Sequence, residues 1–153
     1  MEQKKITIIF TDLDGTFLNK NTFKFGNNKK IIKDLISRGI IIIPNSSKTI
    51  DELKSFNRNI GVKLPFISEN GSSIHNLKYI NKRLPSKIEI GRLRTNILNI
   101  FKKKIKKKYI KKCIFIHKLK PKVQSKILGL KQKRLNEALN RNIQYLLSLL
   151  EKK

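Results

Sequence analysis

Ile6-Thr7-Ile8-Ile9-Phe10-Thr11-Asp12-Leu13-Asp14-Gly15-Thr16 is the stretch from which the rest of the chain is read. From Lys5 to Thr11 the residues are mostly apolar and β-branched, the pattern of a buried β-strand. The run ends in two carboxylates two residues apart, followed at once by a glycine and a hydroxyl. In an α/β protein, ligands gather outside the carboxyl ends of the parallel strands, so such a strand delivers Asp12 and Asp14 to that edge. If the chain stays extended through Asp14, the two-residue period puts both carboxylates on one side. Two negative groups so close repel unless a cation or a transferring phosphoryl group lies against them. The same residues also make an ordinary Asp/Gly turn, and both readings stand at this point.

Downstream, Phe17–Phe25 has turn character, and Asn27 or Asn28 is placed to cap a helix. Ile31, Ile32, Leu35 and Ile36 give that helix an apolar face, and Gly39 stops it. Ile40–Ile43, ended by Pro44, is a second buried strand. Strand, helix and strand in this order predict a βαβ unit with a parallel sheet. The second strand empties into Pro44-Asn45-Ser46-Ser47-Lys48-Thr49. Thr49 and Glu52 have capping-box spacing, so a helix starts there with Ile50, Leu53 and Phe56 inward. Hydroxyls, helix-start N–H groups and one lysine all suit an oxyanion, although Ser, Asn and Pro are also ordinary loop residues.

Phe66-Ile67-Ser68 reads as a short strand, and Asn70-Gly71 as a tight turn. Ser73-Ile74-His75 is then expected to pair with Tyr79-Ile80 in a hairpin. His75 and His117 lack companions at ligand spacing and read as structural or exposed. From Ser86 the character changes, which places a domain boundary there: residues 1–85, then 86–153. Ser86 and Glu89 form another capping-box pair, followed by an apolar helical face of Ile90, Leu93, Ile97, Ile100 and Phe101. Residues 102–112 hold eight lysines in eleven positions, and such like charges favour an exposed helix end or loop. Cys113–Ile116 reads as a strand broken by Leu119-Lys120-Pro121, and Leu130–Leu150 as one or two helices.

Lysine and arginine total 36 against 10 acidic residues, a formal net charge of +26, which predicts affinity for polyanions. Yet 29 of the 36 are lysine, and isoleucine and asparagine are also abundant. All three have A/T-rich codons, so genome composition alone can produce the excess. One cysteine, Cys113, excludes an intrachain disulfide framework and a cysteine-based zinc cluster. No apolar run approaches the length of a membrane span, and no signal-peptide pattern precedes Asp12, so a soluble, cytoplasmic protein is expected.

Asp12-Leu13-Asp14-Gly15-Thr16 resembles the nucleophile motif of the haloacid-dehalogenase superfamily of phosphohydrolases, with Ser46 at the place of its second-motif hydroxyl. Asn45-Ser46-Ser47-Lys48-Thr49 with Pro65-Phe66-Ile67-Ser68-Glu69-Asn70-Gly71 is most similar to the mannosyl-3-phosphoglycerate phosphatase group. Leu128-Gly129-Leu130, Ala138 and Arg141 resemble a cap segment of that group. The resemblance implies an α/β fold: the N-terminal part of a Rossmannoid parallel-sheet core with an inserted α/β cap. It implies Asp12 as nucleophile, forming an aspartyl-phosphate, and Asp14 as the acid that protonates the leaving oxygen and then activates water. Mg²⁺ is the implied cofactor, held by the Asp12 side chain and the Asp14 backbone carbonyl. Ser46 and the Ser47 N–H would hold a phosphoryl oxygen, while Lys48, Glu69, Asn70 and Gly71 would meet a small anionic sugar-acid phosphate.

The chain departs from the family pattern after Gly71, where Glu89, Glu137 and Glu151 are the only acidic residues. The family's third-motif lysine and fourth, acidic motif have no counterpart, and neither do the closing strands of the core. The chain is therefore expected to be a fragment, inactive alone, with residues 86–153 a partial or degenerate cap and a separately encoded C-terminal half as a partner. Another sugar-phosphate phosphatase of the same superfamily is the first alternative. A non-catalytic, basic nucleic-acid-binding protein is the second. Against it, no RNA-binding aromatic motif, recognition helix or zinc spacing is present, so nucleic acid is expected to bind only non-specifically.

Overall fold

The computed structural model describes residues 6–19, 22, 24–91, 94–142 and 146–149. The chain divides into two compact units, Met1–Lys48 with Leu53–Ile90, and Thr49–Glu52 with Gly91–Lys153. Among the described residues no helix is long and apolar enough to cross a membrane.

The first unit is built on β1 (Ile8–Thr11), α1 (Asn28–Ser37) and β2 (Ile41–Pro44). β1 and β2 are parallel, in register from Ile8 opposite Ile41 to Thr11 opposite Pro44, as the strand–helix–strand order predicts. Lys5 lies outside the described residues, and Ile6 and Thr7 precede the strand. β1 is not the buried strand expected: Ile8 and Phe10 share one face by the two-residue period, and Phe10 is 62% exposed. Among the described residues β2 is its only strand partner, so its other edge is unpaired as well.

Ile32 carries the buried side of α1, with Leu35 and Ile36 half-buried and Ile31 exposed rather than inward. No asparagine side chain caps this helix. Instead the Asn28 amide donates to the carbonyls of Phe17 (3.0 Å) and Thr16 (3.2 Å), fastening the helix start to the end of the acidic loop. Gly39 ends the helix at φ +80°, a conformation that costs a Cβ-bearing residue dearly.

α2 (Ile50–Ile60) begins with the expected reciprocal cap. The Thr49 N–H donates to Glu52 Oε2 (2.9 Å) and the Glu52 N–H to Thr49 Oγ1 (3.2 Å). Leu53, Phe56 and Ile60 are buried, at helical spacing. β3 (Phe66–Ser68) continues the parallel core beyond β2 through a bridge of Asn45 with Ile67. There the Ser46 N–H donates to the Ile67 carbonyl at 3.1 Å.

β3 also pairs antiparallel with β4 (Ser73–His75), and β4 with β5 (Lys87–Glu89). Two expectations fail here. Tyr79-Ile80 does not pair with β4, because Asn76 turns the chain at φ +62° into a 3-10 turn over Leu77–Tyr79. Ser86 and Glu89 do not open a helix, because Lys87–Glu89 is drawn into the ladder beside β4. The turn between β3 and β4 is four residues, and Glu69, Asn70 and Gly71 all have positive φ. His75 is buried against Phe66, rings stacked at 5.0 Å, with Nε2 2.9 Å from Ser73 Oγ. Burial pushes its pKa below the ordinary 6.5, helped by Lys87 and Lys54 and opposed by Glu89.

The second unit contains α3 (Arg94–Lys104), α4 (Lys107–Ile110), β6 (Cys113–Phe115), α5 (Pro121–Leu128), α6 (Gln132–Leu139) and β7 (Leu147–Leu149). Of the face expected for α3, Leu93 lies outside the described residues and Ile90 precedes the helix, while Ile97 and Phe101 are half-buried. β6 falls where expected and pairs antiparallel with β7. The second stretch expected to be helical is thus partly strand. A short leucine run suits either structure, and pairing with β6 decides it. Ile116, Leu135 and Ala138 are buried, and the buried Gln124 amide donates to the Ile116 carbonyl at 3.0 Å. Thr49, wholly buried, donates to the Glu137 carbonyl at 2.7 Å. The first unit is thus a mixed α/β fold with a parallel-sheet core flanked by helices.

Candidate functional site

The carboxyl ends of β1, β2 and β3 open on one cleft of about 560 Å³, lined by Asp12, Asn45, Ser46, Ser47, Asn70 and Gly71 with an apolar side of Ile67, Ile74 and Ile90. Of the residues singled out in the sequence, Asp12, Ser46, Ser47, Asn70 and Gly71 are therefore brought together. Asp14, Lys48 and Glu69 do not line it. The apolar side was not anticipated; alternate residues of β3 and β4 supply Ile67 and Ile74, a signal that the two-residue period of those short strands contains.

Asp12 stands just past β1, exposed, followed by Leu13, which is wholly buried and anchors the turn. The chain does not stay extended through Asp14. The N–H groups of Gly15 and Leu18 donate to the carbonyls of Leu18 and Leu13, both at 2.8 Å, and Gly15 takes φ +85° to close the turn. Asp14 Oδ2 instead pairs with Lys48 Nζ at 2.9 Å, and its Oδ1 is buried with no partner among the described residues.

Ser46 is buried, its N–H and carbonyl used by Ile67 and by the Asn70 N–H (3.1 Å each), which ties the β2 end to the β3 turn. Its hydroxyl accepts from the Lys48 N–H at 3.3 Å and is given no acceptor of its own among the described residues. It can therefore donate to an anion in the cleft. The helix-start N–H groups of Thr49 and Glu52 are consumed by the capping box and do not face an oxyanion. Glu69 is buried, and its N–H donates to the Lys48 carbonyl at 2.9 Å, a structural tie between the two loops.

Among the described residues Asp12 is the only charged side chain lining the cleft. A phosphoryl group brought against it would be repelled unless a cation offsets the charge. Among the described residues no three His, Cys, Asp or Glu side chains gather into a metal cluster. Mg²⁺, however, binds through one or two carboxylates plus substrate phosphate and water, and the exposed Asp12 carboxylate in the cleft supplies a hard oxygen of that kind. The residues present fit such an ion.

A family model described as haloacid dehalogenase-like hydrolase matches residues 9–88, just over half of the chain. The chain belongs to this family. A glucosyl-3-phosphoglycerate/mannosyl-3-phosphoglycerate phosphatase of Persephonella marina is 36% identical over 67 residues, covering 44% of this chain and 25% of the relative. A mannosyl-3-phosphoglycerate phosphatase of Pyrococcus horikoshii is 42% identical over 69 residues, covering 45% of this chain and 28% of the relative. The chain thus spans well under half the length of these curated haloacid dehalogenase-like relatives. A solved haloacid dehalogenase-like hydrolase from Bacteroides thetaiotaomicron superposes with a TM-score of 0.57 over 92% of this chain and 56% of its own, at 14% identity, a likeness of fold.

Proposed function

We propose that the chain is the nucleophile-bearing part of a cytoplasmic, Mg²⁺-dependent phosphomonoester hydrolase. The observation that carries this reading is the convergence of three strand ends on a cleft whose only charged lining group among the described residues is Asp12, with Ser46 lining the same cleft. Asp12 attacks phosphorus, the P–O ester bond breaks, and the leaving alkoxide takes a proton from Asp14 to depart as an alcohol. Water then attacks the aspartyl-phosphate, Asp14 takes its proton, and phosphate leaves with Asp12 restored. For Asp14 to carry a proton, its contact with Lys48 must be given up, and an anionic substrate offers Lys48 another partner. Ser46 and Ser47 hold the phosphoryl oxygens, and Asn70 and Gly71 shape the cleft's far side. Mg²⁺, held by Asp12 and Asp14, would neutralise charge on the phosphoryl group as it transfers.

The substrate proposed is a glycosyl-3-phosphoglycerate, on the strength of the Persephonella and Pyrococcus relatives. A polypeptide supplying the family's lysine and second acidic motif is proposed as a partner. Phosphate release from mannosyl- and glucosyl-3-phosphoglycerate in Mg²⁺, alone and with the complementing polypeptide, tests the reading. Asp12→Asn should abolish turnover and Asp14→Asn slow it severely; unchanged turnover in Asp12→Asn would contradict it.

A further inference from the structure

The charge of the second unit is concentrated where the structure leaves it uncovered. Lys102, Lys103 and Lys104 form the last turn of α3, and Lys106, Lys107, Lys108, Lys111 and Lys112 surround the single turn of α4. All eight are exposed, and none is paired with an acidic group among the described residues. Tyr109 sits in their midst, 51% exposed, with Lys108 Nζ 5.0 Å from its ring centroid. Cations in this density repel one another, and folding does nothing to relieve them. A partner with closely spaced negative charges does.

We propose that residues 102–112 form a binding surface for single-stranded nucleic acid. Lysines supply phosphate contacts, and the exposed Tyr109 ring supplies a face on which a base stacks, the combination that single-strand binders use without reading sequence. An anionic membrane would also meet the charge. It is disfavoured because lipid headgroups offer the exposed Tyr109 ring no flat face to stack on.

Binding of a fluorescent single-stranded oligonucleotide by the full chain, titrated across salt, tests the proposal. The slope of log affinity against log salt should be steep, and each lysine removed from the cluster should flatten it by about 0.7. Lys103→Gln, Lys104→Gln, Lys107→Gln and Lys108→Gln together should lose most of the affinity. A charge-matched control in the first unit (Lys24→Gln, Lys63→Gln, Lys78→Gln, Lys82→Gln) should lose little. Tyr109→Ser should weaken binding about five- to a hundredfold, and Tyr109→Phe should restore it. Equal losses in the two quadruple variants would reduce the effect to overall charge and overturn the proposal. So would an indifferent Tyr109→Ser, or stronger binding to phosphatidylserine vesicles than to the oligonucleotide.

Discussion

Lys48 and Asp14 hold each other at 2.9 Å with the lysine side chain 16% exposed and the aspartate 35%. A pair so placed is partly desolvated yet still screened, which limits its worth to about 0.5–1 kcal/mol. A double-mutant cycle of Lys48→Met and Asp14→Asn, read by chemical denaturation, should return a coupling energy of that size; a coupling indistinguishable from zero would show the contact to be incidental. His75 offers a second test at this scale. Its pKa is lowered in the folded state, so the unfolded chain binds protons more readily as pH falls. Its contribution to stability is complete above about pH 6.5, the ordinary value, and is lost as pH falls through the lower folded value. Denaturant midpoints measured from pH 8 down to about pH 5 should fall more steeply in the parent chain than in His75→Gln, which removes the titration. Parallel curves would contradict the shift.

At the scale of elements, α2 shows what a local signal can carry. Thr49 and Glu52 cap one another, and the Thr49 hydroxyl also donates to the Glu137 carbonyl, so a single side chain serves two contacts. Thr49→Ala should cost about 1–2 kcal/mol by equilibrium denaturation, with Thr49→Ser recovering most of it. That cap was legible in sequence because both partners lie within one turn. β1, α1, β2 and β3 were legible for a similar reason, each being an apolar run of the right period, ended by Asp12 in β1 and bounded by Gly, Pro or Asn in the others. β5 and β7 were not. Each is three residues long, too short to show a period, and each exists through a partner far away in sequence, β4 or β6. α5 carries both end signals, Pro121 in its first turn and Gly129 after its end at φ +64°, but Pro121 equally suits a break after the preceding strand, which hides the helix start in the sequence. Within the site, Asp12, Ser46 and Ser47 were placed by strand ends, which sequence reveals. The diversion of Asp14 to Lys48 depends on how the turn after Leu13 closes, which sequence does not.

Over the whole molecule, the net charge of +26 favours anions, and among the described residues Asp12 is the one carboxylate that lines the cleft of the parallel core. That combination suits a phosphorylated acid as substrate and makes Asp12 the group on which the account depends. Phosphoryl transfer leaves a covalent trace on its nucleophile, so the claim can be read without steady-state turnover. The chain, alone and with the proposed complementing polypeptide, would be mixed with mannosyl-3-phosphoglycerate and Mg²⁺, quenched in acid within the first turnover and digested for peptide mass spectrometry. The account predicts a phosphoryl group on Asp12 and none in the Asp12→Asn protein. A phosphoryl group on any other residue, or phosphate release with Asp12 never modified, would contradict it.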